Sequence, residues 1–435
     1  MAGSAKKQHQ RKLRWMRLDN AALIFPASLR KNWSNAFRVS ATLTEDVDTA
    51  VLQSALNVTV HRFPSIAARL RRGVFWYYLQ QVSEAPPIQE EYSYPLTRMS
   101  RKELRTCAFR VIVYGRRIAV ELFHSLTDGT GGMIFLKSLL AEYLLQKHGV
   151  SVPAEKGVLD RQEEPTAEEL EDSFPRYAGP GKASHNESTA WYVPGTPEPT
   201  DFVHLTCLQL SAAAALEKAR SYGVSLTAFL SAAMLMALQA LQKKEIPDRS
   251  KRKPLKVQIP VNLRQLFPSK SLRNFALFTI PEIDPRLGDY TFEEICRLVH
   301  HHIGMDVTPK QMSKRIAANV GPEQSFAVRL IPLFLKNPIL KIAFHVAGER
   351  LSCLTMSNLG AVQLPEMMMP YVQRMEFILS VPASRAHHCG VASFKDALYI
   401  NMVRSIREPS LEYRFYCVLR DLGLTVQVQT NSPER

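Results

Sequence analysis

The sequence predicts a two-domain protein of mixed helices and strands, in the α/β or α+β class. Its 435 residues exceed what one hydrophobic core usually organises, so we expect two domains of roughly 200 residues each. Hydrophobic residues make up 46% of the chain and charged residues only 22%, which supplies ample material for buried cores and argues against extensive disorder. A cleft between two such domains is the usual place for a ligand.

The first half of the chain carries a mixed pattern of helical and strand-like segments. Residues 51–61 have helical spacing, and the aromatic run at 74–81 indicates a strand. Two β-prone runs, at 109–113 and 118–123, are separated by Tyr-Gly-Arg-Arg and predict a hairpin. Apolar residues then recur at helical spacing over 130–148. The resulting order is strand, glycine-rich turn and helix.

An acidic segment and then a stretch rich in Pro, Gly and Ser separate the two halves. We therefore assign residues 1–175 to an N-terminal domain, 176–200 to a linker and 201–435 to a C-terminal domain. The second half opens with a strand at 202–210, followed by two helices and another strand. Ser211 is the expected N-cap of the first of these helices.

Cysteine usage and hydropathy indicate the compartment. The six cysteines contain no Cys-x-x-Cys pair, and no apolar segment follows the basic N-terminus, so we expect a cytoplasmic protein with reduced thiols. The apolar stretch at 326–346 is interrupted by charged residues and prolines. It predicts a broken helix, buried or interfacial, and no transmembrane segment.

The formal net charge is +15, and part of it is concentrated at the N-terminus. The first seventeen residues contain no acid and six basic residues: Lys6, Lys7, Arg11, Lys12, Arg14 and Arg17. A solvated tail explains this pattern, and so does attraction to anionic lipid, to an acidic carrier protein or to nucleotide phosphates. The basic loop at 243–253 leaves similar alternatives open, namely solvation, the 3'-phosphate of coenzyme A or an acidic carrier protein.

The most informative string is Phe-His-Ser-Leu-Thr-Asp-Gly-Thr-Gly-Gly at 123–132. The spacing of His124 and Asp128 alone is a weak signal, and the glycine directly after Asp128 makes it much rarer by chance. A histidine at a strand end, held by a glycine-rich turn, is well placed to accept and return a proton near neutral pH. We expect Asp128 to steady that turn through a buried ion pair with an arginine. The alternative is a hydrogen-bonded core histidine.

This string resembles the HxxxDG signature of the chloramphenicol acetyltransferase-like superfamily of CoA-dependent acyltransferases. The superfamily includes dihydrolipoyl and carnitine acyltransferases, the plant BAHD enzymes and the condensation domains of peptide synthetases. The similarity is closest to bacterial alcohol acetyltransferases, through six further segments in the right order along nearly the whole chain. These segments are Leu-Ile-Phe-Pro at 23–26, Arg-Phe-Pro at 62–64, Phe-Trp-Tyr-Tyr at 75–78, Pro-Val-Asn-Leu-Arg at 260–264, Leu-Arg-Asn-Phe at 272–275 and Ser-Asn-Leu-Gly at 357–360.

The resemblance implies an α/β fold with two similar domains, each a mixed β-sheet flanked by helices, and an active-site channel at the domain interface. His124 would lie in mid-channel, where the thioester arrives from one face and the acceptor from the other. In such enzymes the histidine deprotonates the acceptor, which attacks the thioester carbonyl without forming an acyl-enzyme. Holding both substrates at one base lowers the entropic part of the barrier.

The resemblance also assigns residues. The catalytic set is His124, Asp128, Gly129 and Ser357, in which the Ser357 hydroxyl and the Gly129 amide are the candidate oxyanion donors. The supporting set is Arg264, Asn274 and Asn358. Arg264 is the expected partner of Asp128, and Asn274 is expected to order the channel floor. An ordinary Asx or Ser turn after a strand at 351–356 is the competing explanation for the Ser357 segment.

Three functions follow. The first is an O-acyltransferase that moves an acyl group, expected to be acetyl, from acyl-CoA to a small alcohol. The second uses the same histidine but takes the acyl group from an acyl carrier protein and forms an ester or an amide. The third is a non-catalytic binder that uses a basic surface. Position 123 is Phe where condensation domains usually have a second histidine, and the plant Asp-Phe-Gly-Trp-Gly motif is absent, so both point outside those branches.

Cofactor and partner expectations follow from the same reasoning. Acyl-CoA is expected as a co-substrate, with no permanently bound cofactor and no metal, because the histidines at 300–302 and 387–388 lack partners at ligand spacing. The other expected partner is a small alcohol or amine acceptor. We expect no nucleic acid, and a peripheral contact with a membrane stays open.

Overall fold

The computed structural model describes residues 13–29, 33, 35–180, 188–199, 202–344, 350–381 and 385–431. Four of the six basic residues of the N-terminal segment, Lys6, Lys7, Arg11 and Lys12, lie outside these ranges. Part of the expected linker, residues 181–187 and 200, lies outside them too.

The described residues form strands and helices along the whole chain. The strands are β1 (Trp15–Arg17), β2 (Ala36–Leu43), β3 (Ala68–Arg72), β4 (Tyr77–Gln81), β5 (Gln89–Glu90), β6 (Phe109–Tyr114), β7 (Arg117–Phe123), β8 (His204–Ser211), β9 (Leu255–Asn262), β10 (Ala276–Thr279), β11 (Glu282–Ile283), β12 (Leu354–Ala361), β13 (Val372–Leu379), β14 (His387–Phe394), β15 (Ala397–Arg404) and β16 (Gln427–Thr430). The helices are α1 (Phe25–Ser28), α2 (Thr49–Arg62), α3 (Arg101–Thr106), α4 (Gly129–His148), α5 (Ala167–Leu170), α6 (Ala212–Ser221), α7 (Leu226–Glu245), α8 (Phe292–Asp306), α9 (Pro309–Gln324), α10 (Phe326–Leu330), α11 (Leu333–Phe344) and α12 (Ser410–Asp421).

These strands build two large mixed sheets and one small one. The first large sheet has the order β13-β2-β7-β6-β5, and we call this sheet with the helices that cover it the first lobe. The second large sheet has the order β10-β9-β12-β14-β15-β8-β16, with β11 also paired to β9, and we call it with its helices the second lobe. Most pairs are antiparallel, but β12 is parallel to both β9 and β14, and β5 is parallel to β6. A separate small sheet has the order β1-β4-β3. Mixed sheets flanked by helices confirm the predicted α/β class.

One strand crosses between the halves of the chain. β13 comes from the second half, yet it pairs antiparallel with β2 over most of its length, from Val372 opposite Leu43 to Leu379 opposite Phe37. The sheets otherwise follow the expected division, with β1 to β7 in the first half and the remaining strands in the second. The division into two domains at residues 176–200 stays a prediction. The structure shows in addition that β13, from the second half of the chain, belongs to the sheet of the first half.

Two large apolar clusters lie between sheets and helices, and the first of them also includes Ala392 and Phe394 of β14 and Tyr399 of β15. In the first lobe α2 and α4 pack together over the sheet, and in the second lobe α7 packs against both α8 and α12. Every residue of α4 from Phe135 to Leu144 is buried, including the polar residues Lys137, Ser138 and Glu142. Among the described helices, α7 alone has the length and hydropathy of a membrane span, and 72% of its most apolar window is buried inside the fold.

Several expected elements are present with shifted ends. The expected hairpin is β6-β7, with Gly115 at a φ of 52° in its turn, and Ser211 caps α6 by accepting a hydrogen bond from the Ala214 amide. The strand expected at 74–81 begins only at Tyr77, because Gly73 and Trp76 close the turn that joins β3 to β4. The broken helix expected at 326–346 is α10 and α11, separated at Ile331 and Pro332.

Candidate functional site

The strand-turn-helix around His124 has the expected order. β7 ends at Phe123, and the His124 amide donates to the Asn35 carbonyl at 2.7 Å, so the backbone is fixed just beyond the strand. The turn closes through the Leu126 amide, which donates to the Phe123 carbonyl at 2.9 Å. Asp128 is then the N-cap of α4, because its carboxylate accepts from the Gly131 amide at 3.1 Å. The histidine therefore stands on a rigid connection between a strand and a long helix.

The imidazole of His124 is held between aromatic rings. The centroid of Phe25 lies 4.7 Å from that of His124, and Phe37 approaches it edge-on at 5.1 Å. His124 itself is half-buried, whereas its neighbours Phe123 and Ser125 are fully buried. The ring is thus restricted in orientation.

Asn274 fixes which nitrogen of His124 carries the proton. Its side-chain nitrogen donates to the His124 carbonyl at 2.9 Å and to the Asp19 carboxylate at 3.1 Å, two groups that only accept. Its amide oxygen therefore faces Nδ1 of His124, at 3.0 Å, and must accept from it. Nδ1 carries the hydrogen, and Nε2 keeps a lone pair. An imidazole in this tautomer can act as a base at Nε2.

Asp19 holds Asn274 in this orientation. It is fully buried, it accepts from the amides of Ala22 at 2.8 Å and Asn274 at 3.3 Å, and the guanidinium of Arg273 lies 3.6 Å from its carboxylate. Burial raises the pKa of Asp19, against the opposing effects of Arg273 and Asn274. Burial, with the nearby Asp19 charge as a second cause, also raises the pKa of Asp172 to about 7. Asp19 and Asp172 are therefore less acidic than exposed carboxyl groups.

The electrostatic setting favours the neutral imidazole. Burial lowers the pKa of His124, and the charges of Asp128 and Asp19 together with the Asn274 hydrogen bond only partly oppose that effect. A lowered pKa leaves the ring unprotonated at neutral pH, which is the form that accepts a proton.

Asp128 and Arg264 form the expected ion pair. The Arg264 guanidinium donates to the Asp128 carboxylate at 2.7 Å, and the same carboxylate oxygen accepts from the Phe275 amide at 3.0 Å. Arg264 also donates to the Ser271 carbonyl at 2.9 Å. The pair is nearly buried, with side-chain exposures of 13% for Arg264 and 8% for Asp128. It joins the N-terminus of α4 in the first lobe to the segment after β9 in the second.

The glycines after Asp128 let the second lobe approach the start of α4. A Cβ on Gly131 would lie 2.5 Å from the Leu272 carbonyl oxygen, and a Cβ on Gly129 would lie 2.8 Å from the Leu359 side chain. Gly131 therefore has no room for a side chain, and a side chain at Gly129 would require Leu359 to move. Gly129 is the first residue of α4, so its N–H is one of those that a helix leaves without an intrahelical acceptor.

Ser357 and Asn358 lie on β12 and contact the site less directly than the resemblance implies. The strand expected at 351–356 is present with shifted ends, because β12 runs from Leu354 to Ala361 and its pairing with β14 shifts between Asn358 and Ala361. This register shift is a β-bulge. Within it Gly360 has a φ of 74°, and its amide donates to the Asn358 side chain at 2.8 Å.

Asn358 also donates to the Thr227 hydroxyl at 3.1 Å. Within the described ranges no hydrogen bond joins Ser357 or Asn358 to His124 or Asp128. The strand itself reaches the site two residues after Ser357, where Leu359 packs on Gly129.

A cleft of about 770 Å³ opens between the sheets of the two lobes. β2 and β13 supply one wall, with Arg38 and Glu376, and β8, β15 and β16 supply the other, with Cys207 and Tyr399. His124 is not among its lining residues. No group of three His, Cys, Asp or Glu side chains in the described part of the chain is placed to hold a metal ion.

Sequence reasoning missed Asp19, Phe25 and Phe37. Asp19 carried one available signal, since it is the first acidic residue of the chain and follows a strongly basic segment. Phe25 lies inside the Leu-Ile-Phe-Pro segment, to which the resemblance assigns no role. Phe37 carried no signal, because only the pairing of β2 with β7 brings it beside His124.

Neither a protein-family model nor a curated protein matches the chain by sequence. Solved structures match it over almost its whole length. TRI101 of F. sporotrichioides, solved with coenzyme A and T-2, has a TM-score of 0.63 at 12% identity and covers 95% of this chain and 99% of its own. The chain therefore shares the fold of this protein.

Two further structures share this fold. TRI3 trichothecene 15-O-acetyltransferase from Fusarium sporotrichioides has a TM-score of 0.60 at 10% identity, with 94% of each chain covered. The starter condensation domain of rhizomide synthetase, in complex with C8-CoA and Leu-SNAC, has a TM-score of 0.57 at 13% identity and covers 94% of this chain and 93% of its own. The likeness extends through both lobes.

Proposed function

We propose that the protein is an acyltransferase that moves an acyl group, with acetyl as the first candidate, from acyl-CoA to an alcohol. The observation that carries this proposal is the contact of His124 Nδ1 with the Asn274 side-chain oxygen at 3.0 Å, which leaves the lone pair on Nε2 of a half-buried residue. The solved structures of the same fold add support, because one is named an O-acetyltransferase and two were solved with CoA or an acyl-CoA.

The proposed reaction begins at Nε2 of His124. The acceptor hydroxyl transfers its proton to Nε2 as its oxygen attacks the thioester carbonyl carbon, and the carbonyl oxygen becomes an oxyanion. The carbon–sulfur bond then breaks, and the proton on Nε2 passes to the leaving sulfur, so free CoA and an ester are released. No acyl-enzyme forms, and the imidazole ends neutral. The Gly129 amide and the Ser357 hydroxyl are the proposed donors to the oxyanion.

Asp128 and Arg264 have a positioning role in this proposal. Their ion pair lies at the N-terminus of α4 and fixes the turn that carries His124. Asn274 and Asp19 orient the ring itself, as described above. Asn358 is proposed to hold the irregular end of β12, through Gly360 and Thr227, so that Ser357 and Leu359 keep their places.

The test is thiol release from acetyl-CoA in the presence of a panel of primary alcohols. The wild-type protein should release CoA and form ester, and His124→Ala should lose about 100-fold to 10,000-fold in kcat, the usual contribution of a general base. His301→Ala is the matched control, because that histidine is exposed on α8, and it should keep full activity.

Equal activity of wild-type protein and His124→Ala would contradict the proposal. The same assay with the acyl group on a carrier protein separates the two donors. Activity only with the carrier-bound thioester would keep the base and replace CoA as the donor.

A further inference from the structure

One face of the molecule exposes an unusual number of large apolar side chains. It is formed by β1, by the β3-β4 hairpin and by α10 and α11, and we call it the α11 face. Its exposed apolar residues are Trp15, Val74, Trp76, Phe326, Val328, Leu330, Phe334, Leu335, Ile339 and Ile342. A soluble surface rarely gathers so many, and contiguous apolar patches usually mark a contact.

α11 is amphipathic with its apolar side turned outward. Phe334, Ile339 and Ile342 are 65%, 60% and 64% exposed. Two of its three polar side chains, Lys336 and Asn337, instead point toward the protein, and Lys341 is exposed. This is the reverse of an ordinary surface helix, which buries its apolar stripe against the core.

Specific contacts join these elements into one surface. The Leu333 amide donates to the Val74 carbonyl at 2.9 Å, Lys336 Nζ donates to the Phe75 carbonyl at 3.0 Å, and Asn337 donates to the Tyr77 hydroxyl at 3.1 Å. On the other side of the hairpin, Trp15 of β1 stacks on Tyr78 with ring centroids 5.0 Å apart. The helix, the hairpin and β1 are therefore continuous.

The charge of the α11 face has one sign. The segments that form it, 13–18, 68–81 and 325–344, contain no Asp or Glu. Their exposed basic residues are Arg14, Arg17, Arg72, Arg329 and Lys341. Beside α11 lies a cavity of about 100 Å³ lined by four arginines, Arg71, Arg72, Arg101 and Arg105, together with Asn337 of α11, and no acid lines it.

We propose that the α11 face docks on the surface of an anionic lipid bilayer. Exposed Trp, Phe and Ile side chains beside Arg and Lys are the composition of helices that lie in the membrane interface, where the apolar side chains enter the headgroup region and the basic ones attract anionic lipids. A second copy of this chain would bring the same positive charge against itself in a symmetric contact, which disfavours self-association through this face.

The position of the face relative to His124 gives docking a consequence. α11 packs on α1, whose first residue is Phe25, and the Phe25 ring lies 4.7 Å from that of His124. If the proposed acyltransferase function holds, docking brings a lipid-dissolved substrate to the side of the molecule next to the imidazole. The docking itself does not depend on that function.

Co-sedimentation with vesicles tests the proposal without an activity assay. The full chain is mixed with phosphatidylcholine vesicles or with vesicles that also contain phosphatidylglycerol. It should pellet with the anionic vesicles, and salt should weaken that binding. Phe334→Ser combined with Ile339→Ser should lower the partition coefficient about tenfold or more. Arg329→Gln combined with Lys341→Gln should weaken binding to the anionic vesicles only.

The control is Leu287→Ser combined with Met305→Ser, since these side chains are 78% and 72% exposed elsewhere on the surface. It should bind like wild type, and thermal unfolding should be similar for all variants. Failure of the wild-type chain to bind either vesicle would overturn the proposal, as would equal losses in the control. Capture of a purified acidic carrier protein by wild type but not by the Phe334/Ile339 variant, without vesicle binding, would assign the face to a protein partner instead.

Discussion

At the scale of single residues, the site depends on the side-chain amide of Asn274. The sequence indicated His124 and Asp128 from their spacing, and Arg264 and Asn274 from a resemblance. It did not indicate that Asn274 binds the imidazole, because that contact joins residues 150 positions apart along the chain. Local patterns predict a strand end and a turn, whereas the orientation of a ring depends on what the second lobe places beside it.

Removing the amide of Asn274 should impair catalysis more than binding. In Asn274→Ala the imidazole loses the acceptor for Nδ1–H, so both its tautomer and its orientation become free. We expect kcat for acyl transfer to fall about 10-fold to 100-fold, as for other residues that orient a functional side chain, with little change in KM for acetyl-CoA. Steady-state kinetics measures both constants. Asn57→Ala, on the outer side of α2, is the control, and an unchanged kcat in Asn274→Ala would refute the assignment.

The pH dependence follows from the lowered pKa of His124. The neutral ring is the active base, so activity is present above this pKa and is lost as the pH falls through it. Because burial lowers the pKa from 6.5, the acidic limb of kcat/KM should lie below pH 6.5. A rate profile for a fixed acceptor alcohol measures it. A limb centred at or above 6.5 would mean that the ring is more solvated than its surroundings suggest.

At the scale of elements, the strand-turn-helix was predictable and the bulge was not. Residues 118–148 carry β-prone runs, glycines and helical spacing in their own sequence, so β7 and α4 follow from local signals. The irregular end of β12 depends on its register with β14, which lies some thirty residues further along the chain. Gly131 of α4 also depends on a distant segment, since the backbone of Leu272 lies against it.

Two glycine-to-alanine substitutions in helices should have opposite effects. At Gly131 the new methyl group would meet the Leu272 carbonyl oxygen and the Thr127 hydroxyl, so we expect a loss of about 2 kcal/mol or more in the free energy of unfolding. At Gly304, in α8, the methyl group meets nothing within 4 Å, and the substitution should stabilise by about 0.5–1 kcal/mol. Chemical denaturation of both variants measures the difference. A neutral Gly131→Ala would show that the lobes can separate there at little cost.

At the scale of the whole molecule, buried charges connect the strands of the first lobe. Glu121 of β7 is fully buried and accepts hydrogen bonds from Arg38 of β2 at 2.6 Å and 2.8 Å and from Arg110 of β6 at 2.7 Å. Burial alone would favour the neutral acid, but the two arginines hold the pKa of Glu121 below its ordinary value. Composition predicted two cores but gave no sign of this network, because charged residues on a strand usually face solvent.

Neutralising Glu121 should destabilise the first lobe strongly. Glu121→Gln removes the anion that two buried guanidinium groups share, although Arg38 keeps its ion pair with Glu91 at 2.6 Å. We expect a loss of about 3 kcal/mol in unfolding free energy at neutral pH. The wild-type carboxylate contributes its stabilisation above its unfolded pKa and loses it as the pH falls through the lowered folded pKa. The difference in unfolding free energy between wild type and Glu121→Gln should therefore narrow below pH 4.5. Urea unfolding at several pH values tests this. Glu293→Gln, on an exposed turn of α8, should change stability by less than about 0.5 kcal/mol.

The passage of β13 from the second half into the first sheet determines what would happen if the chain were cut between the lobes. Without β13, the first fragment would present the backbone of β2 as a bare sheet edge, where unsatisfied amides and carbonyls invite aggregation. With both fragments present, β13 of the second fragment would pair with β2 of the first and hold the two fragments together. A protease that cleaves the connection would therefore leave a nicked but associated molecule, and the halves expressed separately should recover their solubility only on co-expression.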